Sequence, residues 1–133
     1  MTTYLTPTAE TQNIRTSAIK LHGPEGFAGM RKAGRLAAEI LDAIVPLVVP
    51  GAKTSEIDDF IRQMMLDAGA VPATLGYHGY GYSCCISPNN VICHGMPSDK
   101  PLKDGDIVNI DVTPLVDGWH GDTSRMYLVG DVP

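Results

Sequence analysis

An Asp-Gly pair, Asp117-Gly118, stands between two β-rich runs in the stretch IVNIDVTPLVDGWHGDTSRMYLV, residues 107–129. Such a pair is a strong hairpin signal, because both central residues of the favoured tight turn need positive φ. A two-residue loop pairs Val116 with Trp119 and puts Thr113 opposite Asp122. Asp111 lies two residues before Thr113 and so points to the same face. The two carboxylates become diagonal neighbours, about 7–8 Å apart at Cα. A bulge in either strand would change that parity.

Two acids on one sheet face repel each other, and their desolvation is costly unless something positive lies between them. A hard divalent cation resolves the conflict, since carboxylate oxygens suit such ions. Read alone, the pair fits two solvated acids on an exposed hairpin somewhat better than a cation site.

Composition narrows the alternatives. A chain of 133 residues is one domain at most by size. Its net charge of −5 and the lack of a basic cluster disfavour nucleic acid or an anionic membrane as partner. No apolar run is long enough to span a bilayer, and the first twenty residues lack the apolar block of a secretory signal. Cys84, Cys85 and Cys93 are odd in number and lack zinc-ligand spacing. They read as reduced thiols, which places the chain in the cytoplasm.

Residues 1–18 are Thr-rich and poor in apolar residues, and are expected to form a flexible arm. Residues 19–133 are expected to fold. Pro24 suits the first position of a helix. Phe27, Met30, Ala37, Leu41, Ile44 and Val48 follow helical spacing, and Pro46 with Pro50-Gly51 ends the element. A second helix opens at Thr54 or Ser55 as N-cap, with Glu56, Asp58 and Asp59 suiting the positive end of its dipole. Its expected buried stripe is Ile57, Phe60, Ile61, Met64, Met65 and Ala68, and Gly69 is its left-handed stop. Residues 75–85, LGYHGYGYSCC, mix tyrosines with glycines. They fit either a ring-lined pocket or a surface loop packed on its own rings. Val91–Cys93 reads as a short strand. The order is α+β, an antiparallel sheet with two helices on one face.

The segments MRKAGRLAAEIL, LGYHGY followed by Cys85, ICHGMP, and DGDIVNIDVTPLVDGWHGDTSRMYLVG together resemble the type I methionine aminopeptidases over residues 24–133. The resemblance implies the N-terminal half of a pita-bread fold, the creatinase/aminopeptidase architecture. That family removes N-terminal methionine with two divalent ions, Co, Mn, Fe or Zn. By resemblance Asp111 and Asp122 are metal ligands. His94 is the histidine that contacts the scissile peptide. Tyr77, Tyr80 and Cys85 line the methionine pocket, with Thr74 at a further position, and a monovalent cation sits near Asn89 and Val91. His78 lies in the matched run but is not one of the family's ligands. The implied substrates are nascent polypeptide N-termini, and the ribosome is a candidate partner.

The family's remaining ligands, a histidine and two glutamates, lie in its second half. The glutamates of this chain, Glu10, Glu25, Glu39 and Glu56, all precede the hairpin. Low or absent turnover by these residues alone is therefore expected, as is self-association through the face the other half would cover. The alternative expectation is a non-catalytic half-domain that serves as a binding or assembly module. A proline-specific pita-bread hydrolase fits the YHGY and CHGMP segments less well. His120, on the face of Asp122, reads either as support for the site or as a packed strand histidine.

Overall fold

A computed structural model describes residues 19–133; the expected arm at 1–18 lies outside them. Helix α1 spans Pro24–Ala43, with Pro24 opening its first turn. A short 3₁₀ turn at Val45–Leu47 leads to α2, Thr54–Asp67. The strands are β1 (Val71–Pro72), β2 (Cys84–Pro88), β3 (Ile107–Val112), β4 (Pro114–Val116), β5 (Trp119–His120) and β6 (Thr123–Leu128).

They form two antiparallel three-stranded sheets, ordered β1-β4-β5 and β2-β3-β6, where the sequence suggested one. The hairpin is shared between them. Val116 faces Trp119 in the tip sheet, and Asp111 faces Ser124 in the other, so one register runs through both. Asp117 and Gly118 have φ of 50° and 82°, as the two-residue turn requires. At the junction Gly121 N–H donates to the Pro114 carbonyl at 2.9 Å.

Sheet parity sorts the side chains. Val108, Ile110 and Val112 are buried with Cys84 and Ile86 against the helices. Ala33, Ala37, Ile40, Leu41 and Ile44 of α1 meet Ile57, Ile61 and Met65 of α2 in the same core. Full burial of each isoleucine contributes about 1.5–3 kcal/mol. Both helices therefore cover one face, and the Asp111 face looks the other way.

Several local expectations need correction. Phe27, Met30 and Phe60 are exposed; Ala33 and Ile40 take the α1 stripe, which the smaller residues allow to approach the hairpin closely. A Cβ at Gly121 would overlap the Ala33 carbonyl, and one at Gly29 would overlap the Trp119 ring. Lys53, not Thr54 or Ser55, is the N-cap of α2. The Ser55 hydroxyl instead donates to Asp99 at 2.7 Å. Val91–Cys93 is not a strand, and Ile92 is 92% exposed. The ladder partner of β3 is Cys84–Pro88, whose alternate residues have a core to bury against. Gly69 has φ of 71° and stops α2 as expected. His120 is exposed on β5, not packed.

Candidate metal and substrate site

Asp111 leaves β3 on the outer face, directly across from Cys85 on β2. Thr113 and Asp122 meet at the junction of the two sheets, where the Thr113 hydroxyl lies 3.3 Å from Asp122 Oδ1. The parity count therefore holds, and the two carboxylates face one another. Burial, then the charge of the neighbouring Asp122, push the Asp111 pKa up; the charge of His94 acts against them. Asp111 Oδ1 is buried and has no hydrogen-bond partner among the described residues. A buried acceptor left in this state is costly, and a cation between the two acids would satisfy it. These oxygens fit part of a divalent-ion site. Among the described residues no group of three or more His, Cys, Asp or Glu side chains is placed to hold a metal ion, so the set is partial.

Beside the pair lies an open cavity of about 500 Å³ lined by Thr74, Tyr77, His78, Tyr80, Cys85, His94 and Met96 among others. The five pocket and histidine residues nominated from sequence all line it, although they come from three separate segments. Local bonding explains the convergence. The Thr74 hydroxyl donates to the Tyr82 carbonyl at 3.0 Å, closing the tyrosine loop. The Tyr80 hydroxyl lies between the carbonyls of Cys84 and Gly95, at 2.9 and 3.2 Å. Ile86 N–H donates to Gly95 O at 2.9 Å, and Gly95 N–H donates to Ser87 Oγ at 2.9 Å. A Cβ at Gly95 would overlap the Ile86 carbonyl, so only glycine lets the His94 segment lie this close to β2.

His94 and His78 have φ of 56° and 48°. Non-glycine residues in the left-handed region are strained, and such strain tends to collect at functional sites. Burial raises the Tyr80 pKa, and the neighbouring Cys85 adds to the rise, so Tyr80 remains a phenol. Burial also raises the Cys85 thiol, against a lowering contribution from Tyr80. Cys85 is therefore a polarizable wall rather than a nucleophile.

Sequence reasoning missed Met96 as a lining residue, and also missed Asp58. That carboxylate is 5% exposed. Its Oδ1 accepts from Ser83 N and Cys84 N, both at 2.9 Å, and from Cys84 Sγ at 3.1 Å. An acid flanked by Ile57 and Ile61 in the apolar stripe of α2 was the available signal.

The profile of Metallopeptidase family M24 matches residues 28–133. The chain belongs to that family. Methionine aminopeptidase from Rickettsia prowazekii is 54% identical over 114 residues, which cover 86% of this chain and 44% of the relative. Methionine aminopeptidase from Escherichia coli K12 is 56% identical over 115 residues, with 85% and 44% covered. The crystal structure of the Rickettsia prowazekii methionine aminopeptidase superposes with a TM-score of 0.86 at 53% identity, covering 87% of this chain and 47% of that one. This M24 chain thus spans less than half the length of the curated relatives it matches. Its two helices and paired antiparallel sheets are the α+β architecture of that fold.

Proposed function

We propose that residues 19–133 supply the methionine pocket and two metal ligands of a methionine aminopeptidase acting on nascent polypeptide N-termini. The observation that carries the reading is the convergence of Thr74, Tyr77, Tyr80, Cys85 and His94 on one cavity beside the Asp111–Asp122 pair. Methionine's flexible thioether suits walls made of rings and a thiol. Tyr80, fixed between two carbonyls, holds the pocket's shape. His94 reaches the pocket rim, where it donates to or accepts from the peptide group as charge shifts in the reaction. Asp111 and Asp122 would hold the divalent ion, Co, Mn, Fe or Zn. When bound there, such an ion supplies Lewis acidity toward a peptide carbonyl and lowers the pKa of water. A monovalent cation near Asn89 and Val91, docking at the ribosome and a cytoplasmic location belong to the same proposal.

The partial ligand set sets the expected level of activity. Two carboxylates hold a divalent ion weakly, so these residues by themselves turn over Met-Ala-Ser slowly or not at all with added Co²⁺ or Mn²⁺. Turnover near that of the Escherichia coli relative would refute this. The same partial set favours a second reading, a half-domain that binds or assembles without catalysis. Isothermal titration with Mn²⁺ separates the two. Weak binding that Asp111→Asn abolishes supports the enzyme, and no metal binding supports the module.

A further inference from the structure

Two polar side chains on the buried face of α2 grip the chain beside two segments that line the cavity, and we infer that Thr54 and Asp58 are positioning residues that fix those segments. The functional half of this inference rests on the reading of the cavity as a methionine pocket. The two residues stand one turn apart on the helix, and each is 5% exposed.

Thr54 holds the His94–Met96 wall. Its hydroxyl donates to Ser98 O at 3.1 Å and accepts from Ser98 N–H at 2.8 Å. Ser55 N–H donates to the same carbonyl at 2.9 Å. Between Ser98 and Met96 lies the fully buried Pro97, whose ring fixes φ. The grip on Ser98 is thus passed stiffly to Met96. Asp58 holds the Cys85 segment. Its three contacts grip Ser83 and Cys84, and the next residue along is Cys85.

The hydrogen bonds of Gly95 to Ile86, Ser87 and Tyr80 share in holding this wall. Ile92 is 92% exposed and Met96 67%, so apart from Pro97 the segment has little core packing. A segment with few buried apolar contacts takes its position from hydrogen bonds and opens easily when they are lost. Helix α2 therefore acts with the Gly95 bonds to β2 in fixing the spacing of Cys85 and His94.

Amide hydrogen exchange on the 133-residue chain tests the positioning. Thr54→Val removes both hydroxyl bonds with little change of shape, whereas Thr54→Ser keeps them. In Thr54→Val the Ile86 and Gly95 amides should exchange about tenfold faster, while those of central strand β3 stay unchanged. Thr54→Ser should match the parent. Unchanged Ile86 and Gly95, or a uniform acceleration that includes β3, overturns the inference. For the other wall, Asp58→Asn keeps an acceptor oxygen and so preserves folding while weakening the grip. Alkylation of Cys85 by iodoacetamide, referenced to exposed Cys93, should speed up about threefold; an unchanged ratio overturns the role of Asp58. Titration of L-methionine, followed by the Met96 methyl resonance, tests the functional half. Parent binding that weakens about tenfold in Thr54→Val supports it. Equal binding by both overturns it. A parent that does not bind methionine overturns the pocket reading, and the exchange result still decides the positioning.

Discussion

Asp111 is the residue with the most at stake in the absence of metal. Burial and the nearby Asp122 raise its pKa in the folded chain, so the folded state binds that proton more tightly than the unfolded state does. Stability is then greatest below the unfolded carboxylate value of 3.8 and is lost as pH rises through the folded pKa. Asp111→Asn removes the penalty. With EDTA present, the variant should melt higher than the parent at pH 7 and show a flatter dependence of Tm on pH in the acid range. Added Mn²⁺ should raise the Tm of the parent and not of the variant, since only a ligand held by the folded state stabilises it. Identical pH profiles would count against the burial of this carboxylate. Asp111 and Asp122 were legible in the sequence because a strand alternates with period two and the Asp117-Gly118 turn fixes where counting begins. Thr54 and Asp58 were not. Their partners Ser98 and Ser83 lie far along the chain, and nothing local marks such a pairing.

Among elements, the joint between α1 and the hairpin carries the fold. Gly121 passes against the Ala33 carbonyl with no room for a side chain. Lys32 closes the same region through a 2.6 Å ion pair with Asp117, and its exposure leaves that pair a minor contributor. Gly121→Ala should destabilise the chain by about 1–3 kcal/mol through overpacking, measured by urea unfolding. Gly34, inside α1, has open space where its Cβ would stand. Gly34→Ala should stabilise by about 0.5–1 kcal/mol. The opposite signs separate the cost of steric contact from that of helix propensity. Both helices and the hairpin were legible from periodicity, the Pro24 start, the Gly69 stop and the turn, whereas the N-cap of α2 was not. The strand at Cys84–Pro88 was not, because its five residues lie among glycines and tyrosines that resemble a loop. The apolar run Val91–Cys93 looked more like a strand, yet among the described residues no partner strand reaches it.

At the scale of the whole molecule, one face of the β2-β3-β6 sheet is covered by helices and the other is open. On the open face Met126 is 51% exposed and Leu128 65%, along edge strand β6, in line with Asp122 and Ser124. An apolar edge with unpaired backbone groups invites pairing with another chain. The residues described here should therefore associate as concentration rises, and Met126→Lys with Leu128→Lys should leave a monomer by light scattering. A parent that stays monomeric at high concentration would count against this. The sequence by itself determined the hairpin register, the shared side of Asp111 and Asp122, and the helices that back the sheet. Each follows from periodicity and turn geometry within a few residues. Only the tertiary structure decided that Thr74, Tyr77, Tyr80, Cys85 and His94 share one cavity, that the hairpin bridges two sheets, and that α2 grips the chain beside two of the lining segments. Those facts depend on hydrogen bonds and close backbone approaches between distant segments, and such contacts exist only once the chain has folded.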